Sequence, residues 1–284
     1  MSGTSPWPGG ARAALSLSFD NLGEAAELEL GAIAEGAPLG GHFTATEVLP
    51  ALLDQLDRRE IAATFFVEGV NAEIYPRLLA EIAVRGHELA LHAWRHEQWG
   101  ELSATEQAEN LARCLAGFEA LGLDAAGLRP PGGQLGPGGL NVLTQAGLRY
   151  CSPAGAGAGE SDGIALLPFQ WRHLDASCVL PPLAAAREQM TGSPDPVDPA
   201  VFLASLEREI EQLETAGYLA IVLHPFMLGW LGNEHLVALL DRLARASAED
   251  GLWVAPCADV AEHVLAHPDR FRNGTSLDPS SWAG

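Results

Sequence analysis

Positive charge is scarce in this chain: 16 Lys and Arg stand against 37 Asp and Glu, a formal net charge of −21 over 284 residues. Such a surface repels phosphate backbones and anionic lipid, which argues against nucleic acid or a membrane surface as partner and disfavours acidic polymers as substrates. Cysteine is nearly absent too. Cys114, Cys151, Cys178 and Cys257 are scattered with no C-x-x-C pair, so no disulfide framework is written here and the thiols read as free in a reducing compartment. No apolar run is long enough to span a bilayer, and residues 1–13 carry Gly and Pro where a secretory leader would place its apolar core. The expectation is a cytoplasmic protein, self-association being left open.

What is present is ordinary globular composition, 48% hydrophobic and 19% charged, and enough length for one large α/β domain. No internal repeat breaks it. We expect a short arm over 1–13, one domain over 14–272 and a loose tail over 273–284. Short β-like runs alternate with longer helical patterns, which predicts a parallel sheet or barrel. The run 14–19 alternates with period two and ends in Asp20-Asn21; 61–67 is almost wholly apolar, as a doubly covered parallel strand should be. Residues 22–46 form a long Gly-rich loop with His42 after Gly40-Gly41, and Thr46 is placed to cap the helix that follows. A helix over 72–84 closes at Gly86, Ser103 and Glu106 form a capping box, and 154–159 is a mobile Gly/Ala loop. The Pro-rich stretch 181–199 reads as an irregular surface excursion.

The densest chemistry lies in Gly86-His87-Glu88-Leu89-Ala90-Leu91-His92-Ala93-Trp94-Arg95-His96. Spaced i, i+4, His92 and His96 would share a helical face with Cβ atoms about 5–6 Å apart, close enough for both imidazoles to reach one divalent ion. The competing reading is a surface helix that happens to carry two histidines. Arg129 precedes Pro130-Pro131-Gly132-Gly133, a turn that can hold a carboxylate and expose backbone N–H groups, or be a plain loop. His224 follows the buried run 218–223. Asp20, His92, Arg129 and His224 all fall at the carboxyl ends of strands, where chemistry collects in parallel α/β folds.

The series Ser18-Phe19-Asp20-Asn21, Ala63-Thr64-Phe65-Phe66-Val67-Glu68-Gly69, Gly86-His87-Glu88 with His92 and His96, Arg129-Pro130-Pro131 and Leu223-His224-Pro225 resembles the polysaccharide deacetylase family, in the family's order and over nearly the whole chain. The segments Leu167-Pro168-Phe169-Gln170-Trp171 and His224-Pro225-Phe226 resemble the branch that holds intracellular cyclic-amide hydrolases such as allantoinases. The resemblance implies a distorted (β/α)7 barrel that hydrolyses an N-acyl amide with activated water. It implies Asp20 as base, His224 as acid, Arg129 and Asp175 as their respective partners, and His92 and His96 as ligands of a divalent metal, zinc. It implies the Gly132 amide facing the oxyanion, with Trp171, Trp94 and His42 around the substrate. The chain departs from the family where a third, acidic ligand is usual: Asn21 follows the base and adds no charge, so metal binding should be weaker or absent. Three readings remain: a deacetylase of an N-acetyl amino sugar or other small N-acyl compound, a metal-independent cyclic imide or ureide hydrolase, and a degenerate ligand-binding barrel.

Overall fold

The first strand organises the sheet. β1, Ala13–Asp20, is buried along its whole length, and the computed structural model, which describes residues 5–34, 36–271 and 274–278, builds outward from it. β2 (Thr64–Val67), β3 (Glu88–Leu91), β4 (Gly127–Leu128) and β5 (Tyr150–Cys151) follow in order, each parallel to the one before. β6 (Gly155–Gly157) leaves this sheet, β7 (Gly159–Ser161) pairs antiparallel with β8 (Ile164–Leu166), and β8 lies parallel to β5. β9 (Tyr218–Leu223) and β10 (Leu252–Val254) both return to β1, which pairs with β10 at its start, with β2 at its end and with β9 along most of its length. A parallel bridge between Leu174 and Val222 ties the stretch after β8 to β9. Helices fill the connections, the longest being Ala104–Ala120, Pro199–Gln212 and Asn233–Ala248. The result is the α/β class expected, a curled half-barrel sheet under a layer of helices.

Alternation along the strands sorts side chains into two cores. Leu15, Leu17, Phe19, Phe65, Leu89 and Leu91 pack outward against helical leucines such as Leu52, Leu53 and Leu79. Ala14, Phe66, Ala90, Tyr150, Ala165 and Val222 fill the other face. Ser16, Ser18 and Asp20 share the parity of Ala14, so β1 carries polar groups along the inner face and ends in a carboxylate.

Several local expectations change. The helix over 72–84 is two pieces, Asn71–Ile74 and Pro76–Val84, because the residue before a proline avoids helical geometry; Tyr75 sits at φ −125°, ψ 48°. Thr46 caps nothing, since the regular helix Leu49–Asp57 grows from a wider turn over Thr44–Val48. The stretch 181–199 contains the helix Ala184–Thr191, stitched down by the buried Arg187 donating to the carbonyls of Ser177, Leu180 and Pro194. The 154–159 stretch is not a free loop: β6 pairs antiparallel with β11 (Thr275–Leu277), inside what was expected to be a loose tail. Asn273 and residues 279–284 of that tail, and residues 1–4 of the arm, lie outside the described residues. Trp7 of the arm is buried, donates its indole N–H to the Gly217 carbonyl and packs on Trp253 and Phe271. The capping box at Ser103 and Glu106 is formed as read.

Candidate active site

Five parallel strands deliver polar groups to one end of the sheet: Asp20 ends β1, Glu68 follows β2, His92 follows β3, Arg129 follows β4 and His224 follows β9. Asp20, Arg129 and His224 are 2%, 1% and 6% exposed. Buried ions at that depth require partners. Arg129 Nη1 donates to Asp20 Oδ1 at 2.7 Å and to Ser18 Oγ at 2.7 Å, while Nε and Nη2 both donate to Ser152 Oγ. Its guanidinium lies 4.0 Å over the Phe66 ring and 5.3 Å over Phe169. Every guanidinium nitrogen is therefore engaged, and the fork is fixed beside the carboxylate.

His224 is held with comparable definition. The Leu174–Val222 bridge sets Asp175 beside it; Asp175 Oδ1 accepts from His224 Nδ1 at 2.6 Å and Oδ2 accepts from the His224 amide at 2.8 Å. Nδ1 carries the proton, which leaves Nε2 as the working nitrogen. Burial by itself depresses the His224 pKa, but the Asp175 carboxylate and its hydrogen bond outweigh it, and the pKa stands above the ordinary histidine value.

His92 and His96 meet at 4.9 Å between ring centroids, though not on a helix. The chain turns at Ala93 and His96 with φ of 61° and 72°, and Glu97 Oε2 closes the turn by accepting from the amides of Trp94 and Arg95 at 3.0 and 2.8 Å. The helical reading of the spacing is thus corrected, while the proximity it was meant to supply is present. His92 Nδ1 donates to the Arg129 carbonyl at 2.8 Å, which directs the Nε2 lone pair away from that bond. Burial pushes both imidazoles down to about 3, so both are neutral lone-pair donors at neutral pH. Asn21, at φ 63°, has a buried Oδ1 without a hydrogen-bond partner. Two neutral imidazoles and one orphaned carbonyl oxygen fit a divalent cation as a donor set of no net charge; among the described residues, no group of three His, Cys, Asp or Glu is gathered to hold one.

The remaining expected residues divide. Gly132 is exposed, with φ 77° in the turn after Arg129; a Cβ there would come 3.5 Å from Gln98 Oε1, a neighbour the sequence did not suggest. Trp171 packs edge-on to Phe169 and lines an open groove of about 540 Å3 with Gln170, Arg172 and Gln189. Trp94 is buried beneath Arg113, its ring against the backbone sites of Gly69 and Gly117, which is a core position. His42 bonds Thr44 through Nδ1 and Tyr75 through its amide, within the network that anchors the 22–44 loop. Ser152 was not singled out by sequence, and Ser18 and Phe169 stood there only inside longer motifs with no role of their own; Ser18 carried a signal in its period-two relation to Asp20.

Fold and site together define an α/β barrel protein with a carboxylate–arginine pair, a histidine–carboxylate pair and a two-imidazole cluster at the carboxyl ends of its strands. Residues 15–151 match the family model for polysaccharide deacetylase. A peptidoglycan-N-acetylglucosamine deacetylase of Bacillus cereus is 30% identical over 95 residues, 31% of this chain; the match spans 33% of that relative's length. Among solved structures, one from Mycobacterium smegmatis assigned to the polysaccharide deacetylases superposes with TM-score 0.75 at 25% identity, covering 96% of each chain. PuuE allantoinase superposes with TM-score 0.72 at 19% identity, over 94% of this chain and 95% of that one, and shares the fold.

Proposed function

We propose that this chain hydrolyses a carbon–nitrogen amide bond, removing the acetyl group from an N-acetyl amino sugar carried by an oligosaccharide or a small N-acyl compound. The observation that carries the reading is the pairing of Asp20 with Arg129 and of His224 with Asp175 at the same strand ends. Asp20 keeps Oδ2 outside its bond to Arg129, and this oxygen takes the proton of the attacking water. As the tetrahedral centre collapses, His224 gives the proton on Nε2 to the departing nitrogen, and the Asp175 carboxylate stabilises the imidazolium before the transfer. The exposed Gly132 turn offers a backbone N–H for the oxyanion. His92, His96 and Asn21 would hold a divalent ion, which we assign as zinc; bound there, it supplies carbonyl polarisation and a lowered pKa for water. Trp171 and its groove give a flat apolar surface beside planar amides, suited to a sugar ring.

The four cysteines are all buried and unpaired, which supports a reducing, cytoplasmic setting; among the described residues no helix is long and apolar enough to cross a membrane. Acetate release from N-acetylglucosamine oligomers tests the reading. Asp20→Asn and His224→Ala should each lower turnover by about 10²–10⁴-fold, the usual contribution of a general base or acid, with the circular dichroism spectrum unchanged. No acetate from oligomers or from small N-acyl compounds, with opening of a cyclic imide instead, would transfer the assignment to cyclic amides.

A further inference from the structure

Behind the base lies a buried carboxyl that the mechanism above does not use. Glu68, fully buried at the end of β2, accepts at Oε2 from the Leu22 amide and from Asn71 Nδ2, both at 3.1 Å; Asn71 Nδ2 also donates to the Leu22 carbonyl at 2.9 Å. Glu68 and Asn71 thus grip both polar backbone groups of Leu22. No regular strand does this, because the chain has left β1 at Asp20 and kinked at Asn21 into the left-handed region. Two oxygens of this clamp are left over without donors: Glu68 Oε1 and Asn71 Oδ1. An ionised Glu68 would add a charge to that surplus of acceptors, with no cation hydrogen-bonded to it, and the charges that bear on it are the acidic Asp20 and Glu97.

We propose that Glu68 stands as a neutral carboxylic acid and acts with Asn71 as a clamp on Leu22, a positioning device that aims Asp20 and Asn21 into the site. The proposal rests on the reading of Asp20 as the base. A proton on Oε1 converts one surplus acceptor into a donor and removes the uncompensated charge. Burial, together with repulsion from Asp20 and Glu97 and against the pull of the Leu22 amide, pushes the Glu68 pKa up to about 8, in the same sense. The folded form therefore keeps a proton that the unfolded chain sheds above its ordinary value of 4.5, so Glu68 withdraws stability as pH rises from there towards 8.

The test compares Glu68→Gln with Glu68→Leu in the full chain. Glutamine keeps the acceptor and supplies the missing donor. It should hold turnover within about twofold of wild type, keep the Leu22 amide protected from hydrogen exchange, and raise Tm at pH 8 more than at pH 5. Leucine should release Leu22 to exchange and lower kcat by about tenfold or more with KM little moved, as loss of aim at the reacting atoms requires. Should Glu68→Leu fail to fold, Asn71→Ala cuts the same clamp from the carbonyl side and should likewise speed Leu22 exchange. A glutamine variant as impaired as the leucine one means that the charge is needed, and the proposal falls. It falls equally if Leu22 exchange is indifferent to all three substitutions. The exchange and Tm arms need no substrate, so an absence of amide hydrolysis would sink the proposed function while leaving the clamp to be judged by itself.

Discussion

Three histidines at one end of the sheet are put to two different uses by their neighbours. His92 and His96 face each other and Arg129 without a carboxylate bonded to either, and burial keeps them neutral. His224 has Asp175 on Nδ1, and its proton is retained against burial. Acid function requires the protonated form, so turnover should decline as pH rises through the His224 pKa. Asp175→Asn keeps an oxygen for a backbone amide but removes the charge that raises that pKa. The alkaline limb of the kcat profile should then shift to lower pH, with a larger loss at pH 8 than at pH 6. An alkaline limb that stays in place after the substitution would show that it belongs to another group.

At the scale of elements, the decisive piece is the turn between β3 and His96. Its two left-handed residues are Ala93 and His96, neither a glycine, and Glu97 holds them by capping two amides. Glu97→Ala should loosen the imidazole pair and weaken divalent metal binding by about 10–100-fold in titration calorimetry, the range typical of residues that orient ligands. Affinity equal to wild type would mean that strand and core packing alone set the pair. The same turn shows where the sequence was readable. Residues at strand ends were legible because apolar strand runs are bounded and their last residues stand out, which placed Asp20, His92, Arg129 and His224 together. The i, i+4 spacing pointed to a helix because periodicity records only separation along the chain, and a turn with positive φ produces the same proximity. The β6–β11 pairing joins residues more than a hundred positions apart through small side chains and left no local trace. The helix Ala184–Thr191 was hidden by prolines on either side of it, although Ala-Ala-Ala-Arg-Glu-Gln is good helix-forming sequence.

Over the whole molecule, charge exerts an influence that no single contact expresses. A net charge of −21 repels itself across the surface. Raising sodium chloride from about 0.05 to about 0.5 M shortens the screening length from above 10 Å to below it and should raise Tm. Differential scanning calorimetry across that series would check this, and a Tm that fell with salt would point to half-buried ion pairs such as Arg59–Asp241 outweighing the repulsion. The central position of β1 carries a different consequence, in time rather than in space. Its longest pairing is with β9, which joins Ser18 to Val222, so the strand that ends in Asp20 cannot be completed until about two hundred further residues have been made. During translation a strand with one wholly apolar face waits with an edge open, a state that favours aggregation and chaperone capture. Refolding should accordingly be slow and limited by this late, long-range closure, and the site, with Asp20 at the end of β1 and His224 just after β9, should be the last part of the protein to become competent.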